Sequence, residues 1–228
     1  MLRMSTFFCY KERSMRRRRP YHHGNLKNTL LEASLGLIRE IGPGAFTLRE
    51  VARRAGVSHN APYRHFRNKE ELLAAVAAEG FDRLTESMTK VAESGSSALD
   101  RLRLSGRGYV HFALSHPQHF AVMFDAPWRF DSYPEARAAG ERAFGTLVRY
   151  IEGCQADGIL PKGDWKPLAL LAWSMVHGVA KLALSGRLPF SEPTQVLQFA
   201  DLATEALRLG MANMANSRLQ EGLRKNAN

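Results

Sequence analysis

Apolar residues return every three or four positions between Asn25 and Ile41, where Leu26, Leu30, Ala33, Leu37 and Ile41 share one helix face. Gly42-Pro43-Gly44 must stop that helix. Downstream, Phe46-Thr47-Leu48-Arg49-Glu50-Val51 carries a complete helix start. Thr47 is placed to cap an early amide, Glu50 to reach back in a capping box, and Phe46 and Val51 to close a hydrophobic staple. This second helix is predicted to end at Ala55-Gly56, where glycine suits a tight turn. Ser58 then caps a predicted helix of barely two turns to Phe66, with Pro62 confined to its first turn. Asn68-Lys69-Glu70-Glu71 repeats the capping-box pattern and opens a helix to about Ala92. Two helices joined by a short glycine turn make a helix-turn-helix, and residues 21–67 suffice for the three-helix core around it.

The remainder also reads as helices, near 97–115, 117–124, 135–157, 165–186 and 193–211. The breaks fall at Ser94-Gly95-Ser96-Ser97, His116-Pro117, Pro127 to Pro134, Gly158 to Lys166 and Leu188 to Pro193. No strand pattern and no internal repeat stands out, so the expected fold class is all-α. The expected division is a disordered basic extension over 1–20, a helix-turn-helix domain over 21–70, a larger helical domain over 71–211 and a flexible tail over 212–228. Met15, just before Arg16 to Arg19, is a possible alternative start.

Charge separates the two modules. Residues 1–70 hold 15 Lys and Arg against 5 Asp and Glu, whereas residues 71–228 hold 17 of each, so the whole net charge of +10 lies in the first third of the 228 residues. Such a basic excess suits nucleic acid, an anionic membrane or another acidic partner, and a basic module joined to a neutral, longer one suggests two modules with different jobs. At 45% hydrophobic and 24% charged the chain is too apolar for a disordered protein. Cys9 and Cys154 make no disulfide framework and fit no metal-ligand spacing, so a reducing cytoplasm is the expected compartment. No secretory leader and no apolar run near the 18 residues of a membrane span are evident, and no membrane partner is expected.

Ser58-His59-Asn60-Ala61-Pro62-Tyr63-Arg64-His65-Phe66 carries the candidate chemistry. An element entering the major groove needs short or planar hydrogen-bonding groups near its start and phosphate-binding groups on its flanks. Asn60 can pair with adenine and Ala61 can touch a thymine methyl. Tyr63, His65 and Lys69 supply donors for phosphate, with Arg49 opening the preceding helix nearby. A solvated polar helix is the plain alternative. Arg16 to Arg19 can add sequence-independent attraction or enter a minor groove.

Thr47-Leu48-Arg49-Glu50-Val51-Ala52, Ala55-Gly56-Val57-Ser58, and Tyr63-Arg64-His65-Phe66 with Asn68-Lys69-Glu70-Glu71-Leu72 resemble the tetracycline-repressor-like (TetR) DNA-binding domain over about residues 21–75. The resemblance implies base-facing positions at Arg49, His59, Asn60 and Ala61, and phosphate contacts from Thr47, Tyr63, His65 and Lys69. Ser58 and Arg64 complete the candidate DNA-binding set. Pro62 departs from the aliphatic residue usual there. Farther on, Trp173-Ser174-Met175-Val176-His177-Gly178 resembles the Trp-His-Gly effector-domain class of the same family. Trp173 and His177 share a helix face, and Gly178 permits close backbone approach; all three can be packing residues, or His177 can be the polar group of an apolar ligand cavity.

Tyr109, Phe112, Phe120, Met123, Phe124, Trp128, Phe130 and Phe144 form an aromatic and methionine cluster that reads as core or as cavity wall. The resemblance favours the cavity. It implies an effector bound by His111, Phe112, Met123, Phe124, Trp128, Phe144, Trp173 and His177. His116-Pro117-Gln118-His119 offers two imidazoles but no third ligand, and neither metal, cofactor nor catalytic pattern is expected. The implied function is a dimeric repressor, released from a palindromic double-stranded operator by a small, mainly apolar or aromatic effector. The homodimer is expected through helices 165–186 and 193–211. A nonspecific architectural DNA-binding protein, and an enzyme or carrier, are the alternatives.

Overall fold

A computed structural model describes residues 26–126, 128–190 and 192–213. The expectations for residues 1–20, including Arg16 to Arg19, and for the tail beyond 213 lie outside the described residues. Eight α-helices and no strand occur among them: α1 (Leu26–Ile41), α2 (Leu48–Ala55), α3 (Lys69–Ala92), α4 (Ala98–Ser115), α5 (Pro117–Asp125), α6 (Pro134–Ala156), α7 (Lys166–Leu184) and α8 (Pro193–Asn213). Short 3-10 turns lie at Pro62–Arg64 and Phe130–Ser132. The all-α expectation holds.

The local chemistry sets most of the ends. Thr47 accepts the Glu50 amide at 3.3 Å while Glu50 accepts the Thr47 amide at 2.7 Å, closing the capping box of α2. Phe46 and Val51, the expected staple, are both buried. Gly56, at φ 69°, ends α2 in the left-handed region that other residues resist. At α3 only half of the expected box forms: Asn68 accepts the Glu71 amide at 2.9 Å, but Glu71 reaches one residue further back, to the amide of Arg67 at 2.6 Å. Ser97 caps α4 through the Asp100 amide, and proline occupies the first turn of α5, α6 and α7.

One expected helix is absent. Pro62 has no amide to donate back to Ser58, so between Ser58 and His65 the chain turns with three-residue spacing, and the Phe66 amide reaches four places back to Pro62. The Ala61 amide donates to the Ser58 carbonyl at 2.9 Å, and the His65 amide to that of Pro62 at 2.9 Å. Proline therefore replaces the expected two-turn helix with a 3-10 turn.

The long α3 organises the rest. It packs against α4, α5 and α6 and also touches α1, while α7 and α8 lie against α4 and each other. Leu72, Leu73 and Val76 join the apolar cluster containing Leu30, Phe46, Val51 and Phe66. Across its other half, α3 meets α4 so closely that a Cβ at Gly108 would stand 2.6 Å from the Ser87 carbonyl oxygen. Ser87 also donates to the Gly108 carbonyl at 2.9 Å. One further departure concerns α7. Its 19 residues and mean hydropathy of 1.4 make it long and apolar enough to cross a membrane, contrary to the reading of the sequence. Here it packs in the bundle, with Leu170, Leu171, Leu182 and Leu184 exposed.

Glycines at two helix positions should respond oppositely. Gly108→Ala must push backbone from backbone and should cost about 1–3 kcal/mol. Gly178, thought from sequence to allow close approach, meets nothing within 4 Å among the described residues of one protomer. Gly178→Ala should therefore stabilise the protomer by about 0.5–1 kcal/mol through helix propensity. Urea titration of both variants checks the pair.

Candidate nucleic-acid interface and ligand cavity

Beyond the Gly56 turn, Ser58, His59 and Asn60 are exposed, flanked by exposed Tyr63, Arg64 and His65. Tyr63 leaves 51% of its surface open, unusual for an aromatic ring and suited to a sugar-phosphate contact. Thr47 and Arg49 at the start of α2 are exposed as well. Ala61 is not: at 8% exposure its methyl is packed inward by the turn that Pro62 imposes, which leaves little of it for the expected contact with a base. Lys69 is also differently employed. Its ammonium donates to the Gly44 carbonyl at 2.6 Å and stands 4.8 Å from the Phe46 ring centroid, with burial lowering its pKa. It fastens the α1–α2 loop to α3. The Thr47 hydroxyl is likewise engaged by Glu50, at 2.9 Å. Arg54, on the other face of α2, forms a two-pronged pair with Glu40 at 2.8 Å and is taken up in joining α1 to α2.

The second site is a cavity of about 530 Å³ between α3, α4, α5, α6, α7 and α8, within the usual range for small-molecule pockets. Phe81, Leu84 and Met88 come from α3; Met123 and Phe124 from α5; Phe144 and Leu147 from α6; Trp173 and Val176 from α7; Leu207 and Met211 from α8. Of the expected residues, Met123, Phe124, Phe144 and Trp173 line it. The others do not. His111 is exposed on the outer face of α4, Phe112 is buried against His116, and Trp128 donates its indole N–H to the Val122 carbonyl at 2.6 Å. Helix geometry explains the first, since a residue two places on from Tyr109 falls on the opposite side of α4; Phe112, a neighbour of Tyr109 on the same side, turns instead to stack on His116.

His177 stands behind the wall. Its Nδ1 lies 2.8 Å from the Tyr109 hydroxyl, which also accepts the Trp173 indole N–H at 3.3 Å. Phe120 stacks on the imidazole and Phe124 meets it edge-on. Burial, with Lys181 nearby, lowers the His177 pKa; burial raises that of Tyr109. Tyr109 was visible in sequence only as one member of an eight-residue aromatic and methionine cluster. The α3 and α8 contributions were missed, since nothing local marks them.

A polar seam lies between α1 and the α4–α5 corner, lined by Glu32, Arg39, Arg83, His116, Gln118 and His119. His119 is buried, its Nε2 3.8 Å from Glu79 and without a hydrogen-bond partner. Among the described residues no three side chains converge as metal ligands.

Known proteins resemble the chain over both regions. A family model described as bacterial regulatory proteins, tetR family, matches residues 30–76, and one described as tetracyclin repressor-like, C-terminal domain, matches residues 102–207. An HTH-type transcriptional repressor of Mycobacterium tuberculosis is 32% identical over 83 residues, 36% of this chain, and the match spans only 42% of that repressor's length. A solved protein of unknown function from Rhodococcus sp. RHA1 is 35% identical, with a TM-score of 0.72 over 86% of this chain and all of that one. The transcriptional regulator FadR from Bacillus subtilis, solved in complex with stearoyl-CoA, shares the fold at 16% identity, with a TM-score of 0.67 over 79% of this chain and 96% of that one.

The seam generates a pH prediction. Burial brings the His119 pKa down to about 4 from its ordinary 6.5. The unfolded chain then binds a proton between these values that the folded chain refuses, so stability falls as pH drops through 6.5 and stops falling for this group near 4. His119→Gln should remove much of that acid loss, on the order of 2–3 kcal/mol, measured by urea unfolding at pH 7 and pH 4.5.

Proposed function

The chain belongs to the tetracycline-repressor (TetR) family, and on that premise we propose that it is a dimeric transcriptional repressor released from a palindromic operator by a small, mainly apolar effector. The observation that carries this reading is the continuity of α3. At its start Lys69 holds the α1–α2 loop, and farther along the same helix Phe81, Leu84 and Met88 line the cavity. A reader over residues 21–70 and a sensor over 71–211 share one rigid rod. The stearoyl-CoA bound by the B. subtilis neighbour supports the use of such a cavity for ligands with long apolar parts.

In the reader, His59 and Asn60 face base edges, Arg49 enters beside them, and Ser58, Tyr63, Arg64 and His65 hold phosphates. The structural duty of Lys69 makes it a support for that surface first and a phosphate contact second. Such a reader spans only a few base pairs, so specificity needs two copies about one helical turn of DNA apart, or a multiple. The exposed leucines of α7 and α8, Leu202 at 66% and Leu209 at 52% among them, supply an apolar face for the partner protomer. Gly178 lies on α7 with open space over it. The protein then acts in the cytoplasm, on the chromosome.

Selection from random duplexes should return a palindrome, and a weak preference among sequences would favour the architectural alternative instead. On the selected operator, Asn60→Ala should cost about 1–3 kcal/mol and relax the preference at one base position in each half-site. Unchanged affinity and preference in a salt-controlled binding titration would remove Asn60 from the reading set. For the interface, Leu202→Glu should yield monomers in light scattering and weaken operator binding together; a dimer that persists would move the contact elsewhere.

A further inference from the structure

Ser105 and Thr204 spend their hydroxyl protons on helix carbonyls and keep only acceptor lone pairs for a ligand, whereas the Tyr109 hydroxyl proton can be turned either way. Ser105 donates its hydroxyl proton to the Leu102 carbonyl at 2.8 Å, and Thr204 donates its own to Ala200 at 2.8 Å. The charged lining residues are Arg103, Glu141, Glu205 and Arg208, all partly or fully exposed. Both arginines are paired, Arg103 with Asp201 at 3.3 Å and Arg208 with Glu205 at 2.7 Å. Tyr109 is different. A phenol can make one bond as donor and two as acceptor. Trp173 takes one acceptor site and His177 takes one further bond, which leaves a single hydrogen bond for something else.

We propose that the effector is an uncharged, largely hydrocarbon molecule carrying one buried oxygen, a ketone, ester or alcohol, which takes the remaining hydrogen bond of Tyr109. This rests on the effector reading of the cavity and narrows it. His177 sets the direction of that bond. When Nδ1 carries the proton it donates to Tyr109, and the phenol proton is free for a ligand carbonyl. When Nε2 carries it, Nδ1 accepts the phenol proton, and Tyr109 offers a lone pair to a ligand hydroxyl. A carboxylate fits neither arrangement. Burial pushes the His177 pKa down, and the two lining arginines, Arg103 and Arg208, are already paired with Asp201 and Glu205, so a buried anion would have to displace a carboxylate to find compensation. Tyr109 thus acts as the specificity-determining residue, and His177 as its positioning residue.

Four naphthalenes of matched frame test this on the full chain at neutral pH: 2-ethylnaphthalene, 2-acetylnaphthalene, 1-(2-naphthyl)ethanol and 2-naphthoate. Binding is read by displacement of the neutral fluorophore N-phenyl-1-naphthylamine. One oxygen probe, ketone or alcohol, should bind about fivefold more tightly than the hydrocarbon, the value of one net hydrogen bond. Which one wins identifies the tautomer of His177. Naphthoate should be the weakest. Tyr109→Phe should bring the favoured probe down to the hydrocarbon's affinity while leaving the hydrocarbon unchanged. His177→Phe, the second variant should Tyr109→Phe not fold, frees the phenol to donate or accept and should erase the difference between ketone and alcohol. An oxygen preference that survives Tyr109→Phe, a ketone-to-alcohol ratio untouched by His177→Phe, or tightest binding of naphthoate overturns the proposal. So does equal binding of all uncharged probes, which leaves the effector cavity itself standing. If neither the fluorophore nor any naphthalene binds, the effector reading falls and takes this proposal with it.

Discussion

One helix has to belong to two hydrophobic environments at once. Over its 24 residues, roughly 36 Å at 1.5 Å per residue, α3 begins inside the small core around Phe46 and Phe66 and continues along the cavity. Neither end can be shifted cheaply. At the start, Asn68 caps the helix and Lys69 reaches across to Gly44. In the second half, the backbones of α3 and α4 meet at Ser87, Met88 and Gly108 with no room for a methyl group. Midway, Gly80 lets Met123 and His119 of α5 close in, since a Cβ there would stand 2.6 Å from the Met123 sulfur. Small residues where another helix approaches thus hold the rod in a single register.

Helix ends were legible in the sequence because their chemistry is local. Thr47 and Glu50, Asn68 with the Glu71 amide, and Gly56 each act within a few residues, so spacing alone exposes them. The stretch Ser58 to Phe66 departs from the expected helix for an equally local reason. Pro62 falls five places into a short candidate helix, where its missing amide and fixed ring leave only a tighter turn, and that turn buries Ala61. The exposed run Ser58-His59-Asn60 survives the change, because the Gly56 turn, rather than a following helix, throws it outward.

The cavity was legible only in part. Its wall is assembled from one face each of six helices, and a sequence window shows that a helix has an apolar face without showing which cavity or core that face meets. Phe112 and Tyr109 look equivalent in composition, yet three residues along α4 separate a ring packed on His116 from a ring on the cavity wall. His177 illustrates the same limit. Taken alone it is either a packing imidazole or a ligand group; joined to Tyr109 across 68 positions of chain, it becomes the partner that fixes how another residue bonds.

A stiff rod alone does not make a switch. A molecule that filled the cavity equally well in two conformations would change nothing, however tightly it bound. The apolar wall supplies affinity, but dispersion contacts tolerate small shifts of α3 against α7. The hydroxyl of Tyr109 tolerates much less, because it sits on α4 and is held by two side chains of α7. A ligand bonded there and packed on Phe81, Leu84 and Met88 would sense the relation between α3 and the α4–α7 pair. On the proposed function, any displacement so enforced would pass along α3 toward the reader. The seam between α1 and the α4–α5 corner is polar, and the Nε2 of His119 there has no hydrogen-bond partner, so a shift across it would cost little apolar burial. Coupling of about 1–3 kcal/mol, the usual scale of allostery, then requires no more than one directional bond made in one conformation and missing in the other.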